Sequence, residues 1–174
     1  MTDLEFSDSI TIRVCYNALM KPTAPQTGQR AKPRILIADD HPQGVELLEA
    51  YLDRDDYEIC TAADGEETLA RVRDWQPDLI LLDIMMPKIS GFEVCKRLRA
   101  DATTSNIAIL MITALDQPSD IERALDVRAD DFVTKPINKT ELLVRVRALL
   151  KARPEKNELK RTLAYYDAVD QSKP

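Results

Sequence analysis

The sequence predicts an α/β fold, a doubly wound parallel sheet of five strands accompanied by five helices, and three observations predict it. Five short apolar runs alternate with five segments of helical periodicity between Arg34 and Arg153. Two of the runs, Leu79–Leu82 and Ile107–Ile112, are apolar without alternation, as in strands buried on both faces of a parallel sheet. Residues with chemistry to offer stand at the ends of such runs, where open α/β sheets place their sites. Strict β-α alternation implies right-handed crossovers, with helices on both faces of the sheet.

The elements follow in order. Ile35-Leu36-Ile37-Ala38 marks a first strand over 34–39, and a helical pattern follows over 43–54. A strand over 57–62 leads to a helix over 65–75. The densest run gives a strand over 78–83, and Ser90-Gly91 opens a helix over 90–100. The fourth strand, 107–112, precedes a helix over 118–127 that Ser119-Asp120 would open. After a last strand at 130–134, Asn138 is placed to cap a helix over 139–152. There Leu142, Leu143, Val146, Leu149 and Leu150 fall at helical spacing.

Two flanks differ from this body of residues 33–153. Within the N-terminal extension, 1–32, Ile10, Ile12, Val14 and Tyr16 alternate with polar residues, marking 9–16 as a half-buried strand. The Pro-, Gln- and Thr-rich stretch 20–33 reads as a linker. In the tail, 154–174, Leu159, Leu163 and Tyr166 form the apolar stripe of a short helix ending near Asp170. Both stripes are too small to fold alone, so each is expected to pack against the body or to pair across a homodimer.

Composition narrows the function. Residues 33–150 hold 14 Lys/Arg against 23 Asp/Glu, an acidic body with no basic stripe, which argues against direct nucleic-acid binding. Cys15, Cys60 and Cys95 have no paired spacing and are expected as reduced thiols. With no apolar stretch near membrane-spanning length and no signal-peptide pattern, a soluble cytoplasmic protein without membrane contact is expected.

The strand ends carry the chemistry. Asp39-Asp40, Asp83, Thr113 and Lys135 give carboxylates, a hydroxyl and an ammonium at four strand ends. Converging carboxylates suit Mg²⁺, which takes oxygen ligands and keeps several waters. An Asp-Asp pair by itself reads equally as a helix cap or a solvated turn. The four strand ends together describe a site for a metal ion and a phosphoryl group.

These residues resemble the receiver domain of two-component response regulators. The matching positions are Asp39-Asp40, Asp83 with Met86-Pro87 and Gly91, Thr113-Ala114, and Asp131-Phe132-Val133-Thr134-Lys135-Pro136. The resemblance implies a flavodoxin-like sheet of order 2-1-3-4-5. It implies that Asp83 accepts a phosphoryl group from a sensor histidine kinase or a phosphotransfer protein. Mg²⁺ would be held by Asp40, Asp83 and the Met85 backbone carbonyl, with Asp39 acting through a bound water. Lys135 and Thr113 would contact the phosphoryl oxygens, Thr113 and Phe132 would form the switch pair, and Lys135–Pro136 would be cis. Such a domain catalyses only its own phosphorylation and dephosphorylation. His41, at a helix start beside Pro42, reads as solvent-facing. Val127-Arg128-Ala129 departs from the family, many members of which carry a glycine-containing turn there.

The stretches around Asp83 and Thr113 look most like receivers that precede cyclic-dinucleotide output domains. The 21 residues after Arg153 are too few for a folded effector. One reading is a response regulator that signals through a downstream protein partner; the alternative is a receiver fragment of a larger regulator such as a cyclic-dinucleotide enzyme. A haloacid-type phosphatase would need an acid two residues after its nucleophile, and position 85 is Met.

Overall fold

In the computed structural model, residues 32–52, 56–114, 127–153 and 158–171 are described. Five strands form one parallel sheet: β1 (Arg34–Ala38), β2 (Glu58–Ala62), β3 (Leu79–Asp83), β4 (Ala108–Thr113) and β5 (Asp131–Thr134). Their order is β2-β1-β3-β4-β5, the order the resemblance implied. Described helices are α1 (Pro42–Tyr51), α2 (Gly65–Trp75), α3 (Gly91–Ala100), α4 (Lys139–Ala152) and α5 (Glu158–Asp170). The expected strand at 9–16, nearly all of the linker, Cys15 and the helix expected over 118–127 lie outside the described residues. Val127 alone of that helix is described, and it stands in a turn.

Period-2 alternation sorts the central strands into two apolar faces. Ile35, Ile37, Leu79, Leu81, Leu110, Ile112 and Val133 meet Leu48 and Leu52 with Leu142, Val146 and Leu149 of α4. On the other face Leu36, Ala38, Ile80, Leu82, Ile109 and Met111 meet Val72 of α2 and Val94, Cys95 and Leu98 of α3. Every residue of β3 and β4 is buried, which is why those two strands read as unbroken apolar runs. Each large aliphatic side chain so buried contributes about 1.5–3 kcal/mol, and this core fixes the positions of the strand ends.

Local chemistry sets the helix starts. Asp64, Ser90 and Asn138 accept the backbone N–H groups of Glu67, Glu93 and Glu141, capping α2, α3 and α4. At α1, His41 occupies the cap without a side-chain bond, and Pro42 supplies a pre-set φ at the first turn. This helix ends at Tyr51, short of the expected residue 54. Leu52 turns to extended backbone and goes into the core. Cys60 and Cys95 are free thiols.

The loop before β5 is tied by one side chain. Arg99 donates to the carbonyls of Ser105, Ile107 and Arg128 and pairs with Asp130 at 2.6 Å. Asp130 also accepts the Ile109 N–H at 2.8 Å. Arg128, standing where a glycine turn is common, has φ 58, the left-handed region.

The tail helix forms as expected but packs with the opposite face. Leu159, Leu163 and Tyr166 are 70%, 56% and 65% exposed, whereas Ala168 is buried and Arg161 and Tyr165 are half-buried. Polar contacts decide the rotation. The Tyr165 hydroxyl donates to the Asp131 carboxylate, and Arg145 of α4 donates to Asp131 at 2.5 Å and to the Tyr165 oxygen at 3.3 Å. Arg161 lies 3.7 Å from Asp130. Burial, followed by the bond to Asp131, raises the Tyr165 phenol above its usual range.

Candidate functional site

The C-terminal ends of four adjacent strands converge because the strands are parallel and in register. Asp39 follows β1, Asp83 ends β3, Thr113 ends β4 and Lys135 follows β5. Register pairs Asp83 with Ile112 and Thr113 with Thr134. The Lys135 N–H donates to the Thr113 carbonyl at 2.6 Å, continuing the β4–β5 ladder by one bond. Lys135–Pro136 is cis, as the resemblance implied.

Asp39, Asp83 and Thr113 are buried, so their polar groups depend on internal partners. Lys135 Nζ supplies one, 3.1 Å from Asp39 Oδ2 and 3.2 Å from Asp83 Oδ1. The His41 backbone N–H donates to Asp39 Oδ1 at 2.8 Å. Burial raises the Asp83 carboxyl above its ordinary range, Lys135 counteracts this, and the charges of Asp39 and Asp40 add to it. Lys135 is opposed by burial, but its bonds and charges shared with Asp39 and Asp83 outweigh this and raise its pKa.

One oxygen is left over. Asp40 Oδ1 is buried and has no hydrogen-bond donor. His41 Nδ1 approaches it to 2.9 Å without hydrogen-bond geometry, and the imidazole is mostly exposed, as expected from the sequence. Ligand atoms of Asp39, Asp40, His41 and Asp83 all lie within 4.8 Å of one another. Three converging carboxylates with one oxygen unsatisfied fit a hard divalent cation.

Of the remaining expected residues, Met85, two positions after Asp83, has an exposed side chain. Phe132 is half-buried against the second apolar face, paired in register with Met111. Leu115 lies outside the described residues. Gly91 lets α3 start against the loop: a Cβ there would stand 2.2 Å from the Asp83 carbonyl oxygen.

The sequence reading missed Gly44. A Cβ at this position would stand 2.5 Å from Asp39 Oδ2, so the glycine leaves the room that carboxylate occupies. Its signal was a glycine inside the helical pattern, a residue that weakens a helix and needs a reason to be there. Lys88 was also unmarked. In the loop after β3, it pairs with the α2 cap Asp64 at 2.6 Å and has φ 64.

Residues 35–147 match the family described as Response regulator receiver domain. The chain belongs to that family. It is 48% identical over 119 residues to the DNA-binding dual master transcriptional regulator RpaA of Synechocystis sp., covering 68% of this chain and 49% of RpaA. It is 46% identical over 127 residues to the response regulator PleD of Caulobacter vibrioides, covering 73% of this chain and 28% of PleD. This receiver thus spans about half or less of the length of those curated relatives. Among solved structures, the Vibrio cholerae chemotaxis protein CheY4 superposes with TM-score 0.63 at 32% identity, over 67% of this chain and 98% of that one. The receiver is a phosphoacceptor signalling domain by family, and no described helix is long and apolar enough to cross a membrane.

Proposed function

We propose that Asp83 is the phosphoacceptor and that the chain acts as a response regulator, phosphorylated by a histidine kinase or phosphotransfer protein and signalling through a protein partner. The observation that carries this reading is the Lys135 ammonium, which touches the Asp83 and Asp39 carboxylates at once, in a cluster whose third carboxylate, Asp40, keeps one oxygen unsatisfied.

A carboxylate oxygen of Asp83 attacks the phosphorus of a phosphohistidine, the P–N bond breaks, and the imidazole leaves with the electron pair. Such transfer needs alignment and charge neutralisation more than covalent assistance. Lys135 exchanges its contact with the Asp83 oxygen for the incoming phosphoryl oxygens, and Thr113 at the neighbouring strand end offers a hydroxyl donor. Asp40, Asp83 and the Met85 carbonyl would hold Mg²⁺, with Asp39 beside them, and the ion when bound neutralises charge on the phosphoryl group. Phe132 sits one strand from Thr113 and is the candidate to follow its movement. Membership of the family supports a cytoplasmic site of action, and the acidic body supports a protein partner over nucleic acid.

Incubation with acetyl phosphate and Mg²⁺, followed by intact mass, tests this. One phosphoryl group should be added, and none to Asp83→Asn. Full-yield modification of that variant would overturn the assignment.

A further inference from the structure

The outward face of α5 exposes an apolar stripe and carries a pattern that fits another copy of itself. Five large hydrophobic side chains are exposed among the described residues, and three of them, Leu159, Leu163 and Tyr166, lie on this one stripe. Spacings of four and three place them on one side of the helix, opposite Arg161, Tyr165 and Ala168, which face the body. Such a cluster on a single helix differs from scattered surface apolar residues.

Flanking charges select the occupant. In a heptad register with Leu159 and Tyr166 at d and Leu163 at a, Lys160 and Asp167 both fall at e, one heptad apart, with opposite sign. Both side chains are exposed. The opposite flank carries Thr162 and Val169, which are uncharged. In an antiparallel pair each e position meets the e position of the other helix. Lys160 of each copy then meets Asp167 of the other, twice, by the two-fold symmetry of an isologous contact. A parallel pair would set the charges against Thr162 and Val169, where they find no complement. The helix dipole points the same way. The last turn of α5 has no basic residue and holds Asp167 and Asp170 where its own dipole disfavours them, and an antiparallel neighbour brings its positive end alongside.

We propose that two copies of this chain associate through α5, antiparallel, with Leu159, Leu163 and Tyr166 at the seam and Lys160 paired to Asp167 of the second copy. This goes beyond the phosphoacceptor reading and does not rest on it. A helix of 13 residues spans about 20 Å. One such pair buries less than the roughly 1,200 Å² of a stable interface, so the association is weak and concentration-dependent.

Sedimentation velocity on the full 174-residue chain, from about 10 μM to about 1 mM, tests it. The weight-average mass should rise towards the dimer with concentration, and Leu163→Glu should hold it at the monomer. Lys160→Glu and Asp167→Lys each place two like-charge pairs in their own homodimer and should weaken association roughly tenfold. Mixing these two variants in equal amounts restores both opposite-charge pairs and should recover the wild-type curve. All are exposed surface changes, and matching melting curves verify folding. A wild-type chain that stays monomeric throughout overturns the proposal and gives the stripe to a different protein. So does a dimer indifferent to Leu163→Glu, or single charge variants that mixing fails to rescue.

Discussion

Lys135 Nζ stands 3.2 Å from Asp83 Oδ1, joining residues 52 apart in sequence at the ends of β5 and β3. The same ammonium reaches Asp39, so one cation serves two buried carboxylates and a third lies nearby. Charge at this site is therefore under-compensated in the unmodified protein, and this has a measurable cost.

Because Asp83 has its carboxyl raised above the ordinary range, chiefly by burial, its ionised form destabilises the fold. The sign follows from linkage: a raised folded-state pKa gives stability that is present below the unfolded pKa and lost as pH rises through the folded one. Asp83→Asn should accordingly raise the melting temperature at neutral pH, and the advantage should shrink as pH falls and the wild-type carboxyl protonates. Saturating Mg²⁺ should narrow the same gap. Differential scanning calorimetry across pH tests this, and a variant no more stable than wild type at pH 7 would contradict it.

Gly44→Ala should separate stability from metal binding. The new methyl meets Asp39 Oδ2 at 2.5 Å and must displace that carboxylate from its bonds to Lys135 and the His41 N–H. Replacing glycine inside α1 gains roughly 1 kcal/mol of helix propensity, offsetting part of the disturbance. Divalent-cation affinity by NMR titration and the rate of acetyl phosphate labelling should both fall several-fold, while the melting temperature changes little. Unchanged affinity would show that Asp39 tolerates the intrusion.

The loop before β5 offers two substitutions of opposite sign. Arg99→Ala removes four contacts and leaves Asp130, which is mostly buried, with the longer 3.7 Å approach of Arg161 and the Ile109 N–H in place of its close guanidinium partner. The expected loss is about 2–4 kcal/mol. Arg128→Gly relieves a left-handed residue on an exposed turn and should stabilise by about 0.5–1 kcal/mol after the extra freedom of the unfolded chain is counted. Urea denaturation of both variants reads the two shifts, and a gain in the first or a loss in the second would be inconsistent with this geometry.

Met85 bears on the lifetime of the phosphorylated state. Its side chain, two residues after Asp83, is exposed and has no group that could orient an attacking water. The aspartyl phosphate should be long-lived, and Met85→Asn should shorten it several-fold, followed by phosphate release after removal of the donor. A wild-type half-life of seconds would refute the argument.

The fold and most of the site were legible in the sequence because both rest on short-range patterns. Unbroken apolar runs marked β3 and β4, caps at Ser90 and Asn138 marked helix starts, and the polar residues at the strand ends named the candidate site, whereas the cap at Asp64 emerged only from the structure. Strand order came from family resemblance, since periodicity says which residues are strands and nothing about which strands are neighbours. Other features required the tertiary structure, for stated reasons. Gly44 matters through a through-space distance to Asp39, and Arg99 through four acceptors on other segments. The rotation of α5 was decided by Tyr165 meeting Asp131 and Arg145, residues 34 and 20 positions away. An apolar stripe tells a helix which side can be buried; when polar partners on the opposite face are anchored more strongly, that side is left for something else.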